Sequence, residues 1–160
     1  MQPEELATLQ PAGRSGAASA APEGLPAAPA VDGADLRSRR RILIVDDDPA
    51  IRRLCERILA TAYEVTTVPS ARAALDELTR TRYHLLLTDL RMPNMDGVTL
   101  LKEVAKLPGA PSVLAMTGSV TREMEQRLQT VLLSGPVIHK PFTASMLLEE
   151  VGRCLAQVVG

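Results

Sequence analysis

The run Arg41-Ile42-Leu43-Ile44-Val45, followed at once by Asp46-Asp47-Asp48-Pro49, decides the architecture of this chain. Four consecutive aliphatics, three of them β-branched, are too few for a helical core. They suit a strand buried on both faces, as strands are in a parallel sheet covered by helices. The abrupt change to acids ends the strand. Asp48 then offers a helix N-cap and Pro49 a first helical residue whose missing N–H costs nothing there. Ile51, Leu54, Cys55, Ile58 and Leu59 follow at the i, i+3, i+4, i+7, i+8 spacing of one apolar helix face.

The same alternation continues outward from this unit. Tyr63–Val68 is expected as a second strand, with Ser70 capping a helix that buries Ala71, Ala74, Leu75 and Leu78. His84–Thr88 is a third strand, Met92–Gly97 a turn-rich loop, and Val98, Leu101, Val104 and Ala105 mark the helix after it. Ser112–Met116 forms a fourth strand, Val120–Leu133 a fourth helix and Pro136–His139 a short fifth strand. Thr143 caps a last helix with Leu147, Val151, Cys154, Leu155 and Val158 on its inner face. Five strand–helix units predict an α/β fold, a doubly wound five-stranded parallel sheet with helices on both faces.

Composition changes sharply upstream. Of residues 1–35, 19 are Ala, Pro or Gly, and five acids stand against Arg14. So few large apolar groups cannot offset an ordering cost of ~1–2 kcal/mol per residue. Residues 1–36 are therefore expected to form a disordered tail and 37–160 a single domain. The arginines of 37–41 (RSRRR) are expected to be a solvated domain edge.

Bulk properties narrow the function classes. A net charge of −1 gives no general attraction to nucleic acid, and 2% aromatic residues leave no platform for stacking bases. No run reaches the ~18 apolar residues of a membrane span, and the N-terminus lacks the pattern of a signal peptide. Two cysteines exclude a disulfide scaffold and suit a reducing cytoplasm. Cys55 and Cys154 both fall on apolar helix faces, where packing explains them. His84 and His139 have no partner spacing for zinc.

In an open parallel sheet, ligands bind beyond the carboxyl ends of the strands, where the strand order reverses. The polar residues at those ends are Asp46, Asp47 and Asp48 after the first strand, Asp89 after the third, Thr117 after the fourth and Lys140 after the fifth. Asp48 is explained by capping. Two carboxylates ~4 Å apart repel by about 4 kcal/mol at an effective dielectric of 20. Lys140 alone cannot neutralise Asp46, Asp47 and Asp89, so either their pKa values rise or a divalent cation sits among them, and an all-oxygen site with room for water suits Mg²⁺. A cation on one side and Lys140 on the other would clamp a transferring phosphoryl group, with Thr117 donating a hydrogen bond and a carboxylate as nucleophile.

The four motifs ILIVDDDP, TDLRMPNMDG, LAMTG and HKPF, in this order and each at a strand end, resemble the receiver domain of bacterial two-component response regulators over residues 40–158. The resemblance implies a flavodoxin-like fold and a protein similar to stand-alone chemotaxis regulators, with no output domain after residue 160. It implies that Asp89 accepts a phosphoryl group from a histidine kinase or a histidine phosphotransfer protein. Asp46, Asp47 and the backbone carbonyl of Arg91 would join Asp89 in holding Mg²⁺. Thr117 and Lys140 would meet the phosphate, and the Lys140–Pro141 bond would be cis. Such a domain promotes its own phosphorylation and dephosphorylation and signals to a partner protein without binding nucleic acid or membrane itself.

Two positions depart from what the resemblance implies. Many receivers carry an aromatic residue three before the lysine, where this chain has Val137. The resemblance implies that the side chains two past the acceptor and two past the threonine, here Arg91 and Ser119, flank the route of attacking water, so the bulky cation of Arg91 is expected to slow loss of the phosphoryl group. Two alternatives remain open at this point: a haloacid-dehalogenase-like phosphatase using the Asp-x-Asp of Asp46–Asp48 with Asp46 as nucleophile, and a receiver that docks without being phosphorylated.

Overall fold

Four largely apolar runs and the Thr- and Val-rich segment 64–68 form five strands of one parallel sheet, ordered β2-β1-β3-β4-β5. The computed structural model describes residues 39–132 and 136–157. In chain order the elements are β1 (Arg41–Val45), α1 (Pro49–Leu59), β2 (Glu64–Val68), α2 (Ala71–Arg80), β3 (Leu85–Asp89), α3 (Gly97–Val104), β4 (Ser112–Thr117), α4 (Arg122–Leu132), β5 (Val137–His139) and α5 (Ala144–Ala156). The expected tail 1–36 lies outside the described residues, as do Leu133 and Val158.

Side chains of one strand point alternately to opposite faces, and each face has its own layer of helices. Ile42 and Ile44 of β1, with Leu85, Leu87, Leu114 and Met116, pack against Cys55, Ile58 and Leu59 of α1 and Leu147, Val151, Cys154 and Leu155 of α5. Leu43, Val45, Leu86 and Ala115 face Ala71 and Ala74 of α2, Val98, Leu100, Leu101 and Val104 of α3, and Leu128 of α4. The sheet is therefore doubly wound, as its alternating units predicted. β1 and β3 lie in the middle and are sealed on both sides, so residues Ile42–Val45 and Leu85–Leu87 have no exposed surface.

The caps form as their residue types dictate. Asp48 Oδ1 accepts from Ala50 N–H at 2.9 Å, Ser70 Oγ from Ala73 N–H at 3.1 Å and Thr143 Oγ1 from Met146 N–H at 3.1 Å. Three details differ from the sequence expectation. Leu54 is 43% exposed, because the buried arc of α1 is centred between Cys55 and Ile58 and Leu54 falls on its flank. Ala105 is exposed beyond the last turn of α3, while Leu100 is buried in its place. The fourth helix starts at Arg122 rather than Val120, since Thr121 caps it by accepting from Met124 N–H at 3.2 Å.

Candidate functional site

The strand order reverses between β1, whose chain continues to β2 on one side, and β3 on the other. Beyond the carboxyl ends of these strands lie Asp46, directly after β1, and Asp89, the last residue of β3. Thr117 ends β4 and Lys140 directly follows β5. One carboxylate oxygen from each of Asp46, Asp47 and Asp89 lies within 4.8 Å of the others, with Asp46 and Asp89 buried and Asp47 exposed. The Lys140 ammonium sits 3.1 Å from Asp46 Oδ2 and 3.5 Å from Asp89 Oδ1. Residues 94 positions apart thus meet at one edge of the sheet.

Asp46 is held from three directions. Its Oδ1 accepts from Asp48 N–H at 2.9 Å, its Oδ2 takes the Lys140 contact, and its backbone carbonyl accepts from Arg52 Nη1 at 2.6 Å. Arg52 went unnoticed in the sequence because nothing in a helical arginine signals a backbone partner six residues back. Burial pushes the Asp89 carboxyl above its usual range, with Asp46 adding repulsion; Lys140 and a hydrogen bond from Arg91 N–H offset this only in part. Partial burial disfavours the charge on Lys140, but its hydrogen bond to Asp46 and the charges of Asp89 and Asp46 outweigh it and hold the ammonium above its ordinary value. Three carboxylates around one ammonium remain an electrostatic deficit that a small divalent cation fits.

The backbone of Asp89 is braced from below. A Cβ on Gly97 would stand 2.3 Å from the Asp89 carbonyl oxygen and 2.7 Å from Leu90 Cα, so only glycine lets α3 start this close to Asp89. Gly97 N–H donates to the Leu90 carbonyl at 3.1 Å, and Leu90 N–H to that of Met116 at 3.0 Å. Asn94 takes a positive φ of 72° in the turn between them, a conformation asparagine tolerates. Asp96 caps α3 by accepting from Thr99 N–H at 2.7 Å and also receives the Arg127 guanidinium, with Nη1 at 3.0 Å from Oδ2 and Nη2 at 3.5 Å from Oδ1. The sequence reading left Asp96 and Gly97 in the loop and found neither this cap nor the arginine 31 residues downstream.

Thr117 is buried, and its hydroxyl donates to the Ser119 carbonyl at 2.8 Å while accepting from Ser119 N–H at 3.2 Å. Lys140 N–H donates to the Thr117 carbonyl at 2.7 Å, which ties the two residues' backbones together, and the Lys140–Pro141 bond is cis. The Arg91 side chain is exposed. Val137 is half-buried and packs against the core cluster on the α2, α3 and α4 face of the sheet. Cys55 and Cys154 are buried, and burial pushes the Cys55 thiol up to about 12, so packing accounts for it. His139 and Asp48 are exposed, and Asp48 caps its helix as expected.

A family model described as the response regulator receiver domain matches residues 42–152. The chain belongs to this family. The receiver is 38% identical over 125 residues to the response regulator protein FleR of Pseudomonas aeruginosa, covering 75% of this chain and 26% of FleR. It is 28% identical to the Vibrio cholerae chemotaxis protein CheY4, with a TM-score of 0.68 over 72% of this chain and 98% of that one. A CheY-like receiver domain from Methanospirillum hungatei is 31% identical with a TM-score of 0.69, covering 74% and 95% of the two chains. The receiver thus spans about a quarter of FleR's length and nearly all of the solved receiver domains. Family membership also removes support from the phosphatase reading, in which Asp46, with both oxygens already engaged, would be the nucleophile. No helix among the described residues is long and apolar enough to cross a membrane.

Proposed function

We propose that this receiver is a phosphorylation switch in which Asp89 takes a phosphoryl group from a phosphohistidine of a histidine kinase or phosphotransfer protein. The observation that carries the reading is the meeting of three carboxylates with Lys140 at the strand ends of a receiver fold. A carboxylate oxygen of Asp89 forms the new P–O bond as the donor's P–N bond breaks, its electron pair staying on the imidazole nitrogen. Lys140, already 3.5 Å from Asp89 Oδ1, balances charge on the transferred oxygens. The phosphoryl group carries ~−1.5 to −2 charges. A charge-assisted bond to it is stronger than the neutral one Thr117 makes to the Ser119 carbonyl, so the hydroxyl is drawn from Ser119 toward Asp89.

Mg²⁺ fits the residues present. The donors are hard carboxylate oxygens with no imidazole or thiolate, and exposed Asp47 leaves room for water in the coordination shell. Asp46, Asp47, Asp89 and the backbone carbonyl of Arg91 would hold the ion, Asp46 using lone pairs left free by Asp48 and Lys140. When bound, the ion neutralises charge on phosphoryl oxygens. The protein would act in the cytoplasm through a partner that reads the phosphorylated conformation, and would catalyse no turnover besides its own phosphorylation and dephosphorylation.

Incubation with acetyl phosphate and Mg²⁺, followed by intact mass measurement, tests this reading. The expected result is one phosphoryl adduct that is absent without Mg²⁺ and absent in Asp89→Asn. An adduct that persists in Asp89→Asn overturns the assignment of Asp89, and no adduct under any condition favours a receiver that only docks.

A further inference from the structure

We propose that Arg127 is a positioning residue for the phosphoacceptor loop, its fork onto Asp96 tying the middle of α4 to the segment braced against Asp89. The proposal rests on the phosphoacceptor reading above. Its geometry is a short mechanical chain. Arg127 grips Asp96 through two guanidinium nitrogens, Asp96 caps α3, and the next residue, Gly97, packs directly on the Asp89 carbonyl with no room for a side chain. A displacement of the Asp89 backbone therefore cannot be absorbed at Gly97 and passes to the Asp96–Arg127 pair.

Of the α4 side chains whose burial is described, Leu128 is buried, with Met124, Arg127 and Val131 half-buried. Polar tethers add to this apolar packing in setting the helix's position. Among the described residues α4 has two of them. Its N-terminus is capped by Thr121, two residues past Ser119, the residue that holds the Thr117 hydroxyl. Its middle is held by the Arg127 fork, which involves two carboxylate oxygens and so fixes orientation as well as distance. α4 is thus gripped by both loops that flank Asp89. The fork accordingly couples occupancy of Asp89 to the placement of α4, although Arg127 has no hydrogen bond or ion pair to Asp46, Asp47, Asp89, Thr117 or Lys140 among the described residues.

The test uses the full chain with beryllofluoride and Mg²⁺ as the probe of Asp89, affinity read by calorimetry and α4 read by amide hydrogen exchange. Arg127→Met is expected to weaken beryllofluoride binding about three- to tenfold, a size ordinary for mutations along a coupling route. It is also expected to abolish the change in α4 exchange on binding, with Arg127→Lys restoring part of both. Asp96→Asn keeps an oxygen that can cap α3 while removing the charge. It should reproduce the loss without adding to it in the double variant. If wild type binds beryllofluoride and Arg127→Met and Asp96→Asn match it within twofold with an unchanged α4 response, the proposal is overturned, even where the melting temperature drops. If wild type fails to bind the probe at all, the phosphoacceptor reading itself falls.

Discussion

Arg91 illustrates how far a single position can be argued. Its backbone lies close enough to donate to the Asp89 carboxylate, and its side chain is exposed beside the pocket. If Asp89 is phosphorylated as proposed, water attack at phosphorus removes the group, and the long Arg91 side chain is expected to hinder that attack. Arg91→Ala should therefore speed loss of the phosphoryl group more than twofold, measured as decay of the Asp89 adduct after removal of acetyl phosphate. A rate within twofold of wild type refutes the role. The charged residues of the site were legible in the sequence because each sits at a strand end, where a polar residue breaks an apolar run and stands out. Arg52, Gly97 and Arg127 were not, because their partners are backbone atoms or side chains that only the folded chain brings near. Gly97 is the instructive one. A glycine after a turn reads as conformational freedom, yet its role here is to leave space above Asp89.

The strands and helices were readable from periodicity for a related reason: the strands other than β2 are short apolar runs ended by a polar residue, and most helices open on a side-chain cap. What periodicity misplaced lay at the margins of apolar arcs, such as Leu54, where a few tens of degrees decide burial. It also gave no hint of the fastening at the other end of β1. His84 Nδ1 accepts from Arg41 N–H at 2.9 Å, while His84 N–H donates to the Arg41 carbonyl at 2.9 Å, pinning the start of β3 to β1. The first of these bonds needs Nδ1 unprotonated. Burial and the nearby charges of Arg40 and Arg41 lower the His84 value below 6.5. The unfolded chain then takes up the proton first as pH falls. This contribution to stability is present above about pH 6.5 and lost as pH drops through the folded value. His84→Gln removes the titration, so the melting-temperature gap between wild type and variant should shift against wild type between about pH 7.5 and 5.5. A gap that stays constant over this range excludes the effect.

At the scale of the whole molecule, the site costs the fold stability. A sheet with two sealed central strands ends in three carboxylates that Lys140 alone opposes by an ion pair among the described residues, and two such groups ~4 Å apart repel by about 4 kcal/mol at an effective dielectric of 20. Asp89 can be made neutral without stranding its partner, because Lys140 keeps its 3.1 Å contact with Asp46. Asp89→Asn is therefore expected to melt higher than wild type in the absence of divalent cations, by about 5 °C for a domain of this size. Mg²⁺ should stabilise wild type by about 1.4 kcal/mol at ten times its dissociation constant, since a ligand of the folded state raises stability by mass action. It should stabilise Asp89→Asn much less, because the variant has lost both a ligand and the repulsion that Mg²⁺ relieves. Thermal denaturation of both proteins with and without Mg²⁺ decides the matter. If the variant melts lower than wild type without Mg²⁺, or gains as much from the ion, then crowding of these carboxylates is not what the fold sustains for the sake of its chemistry.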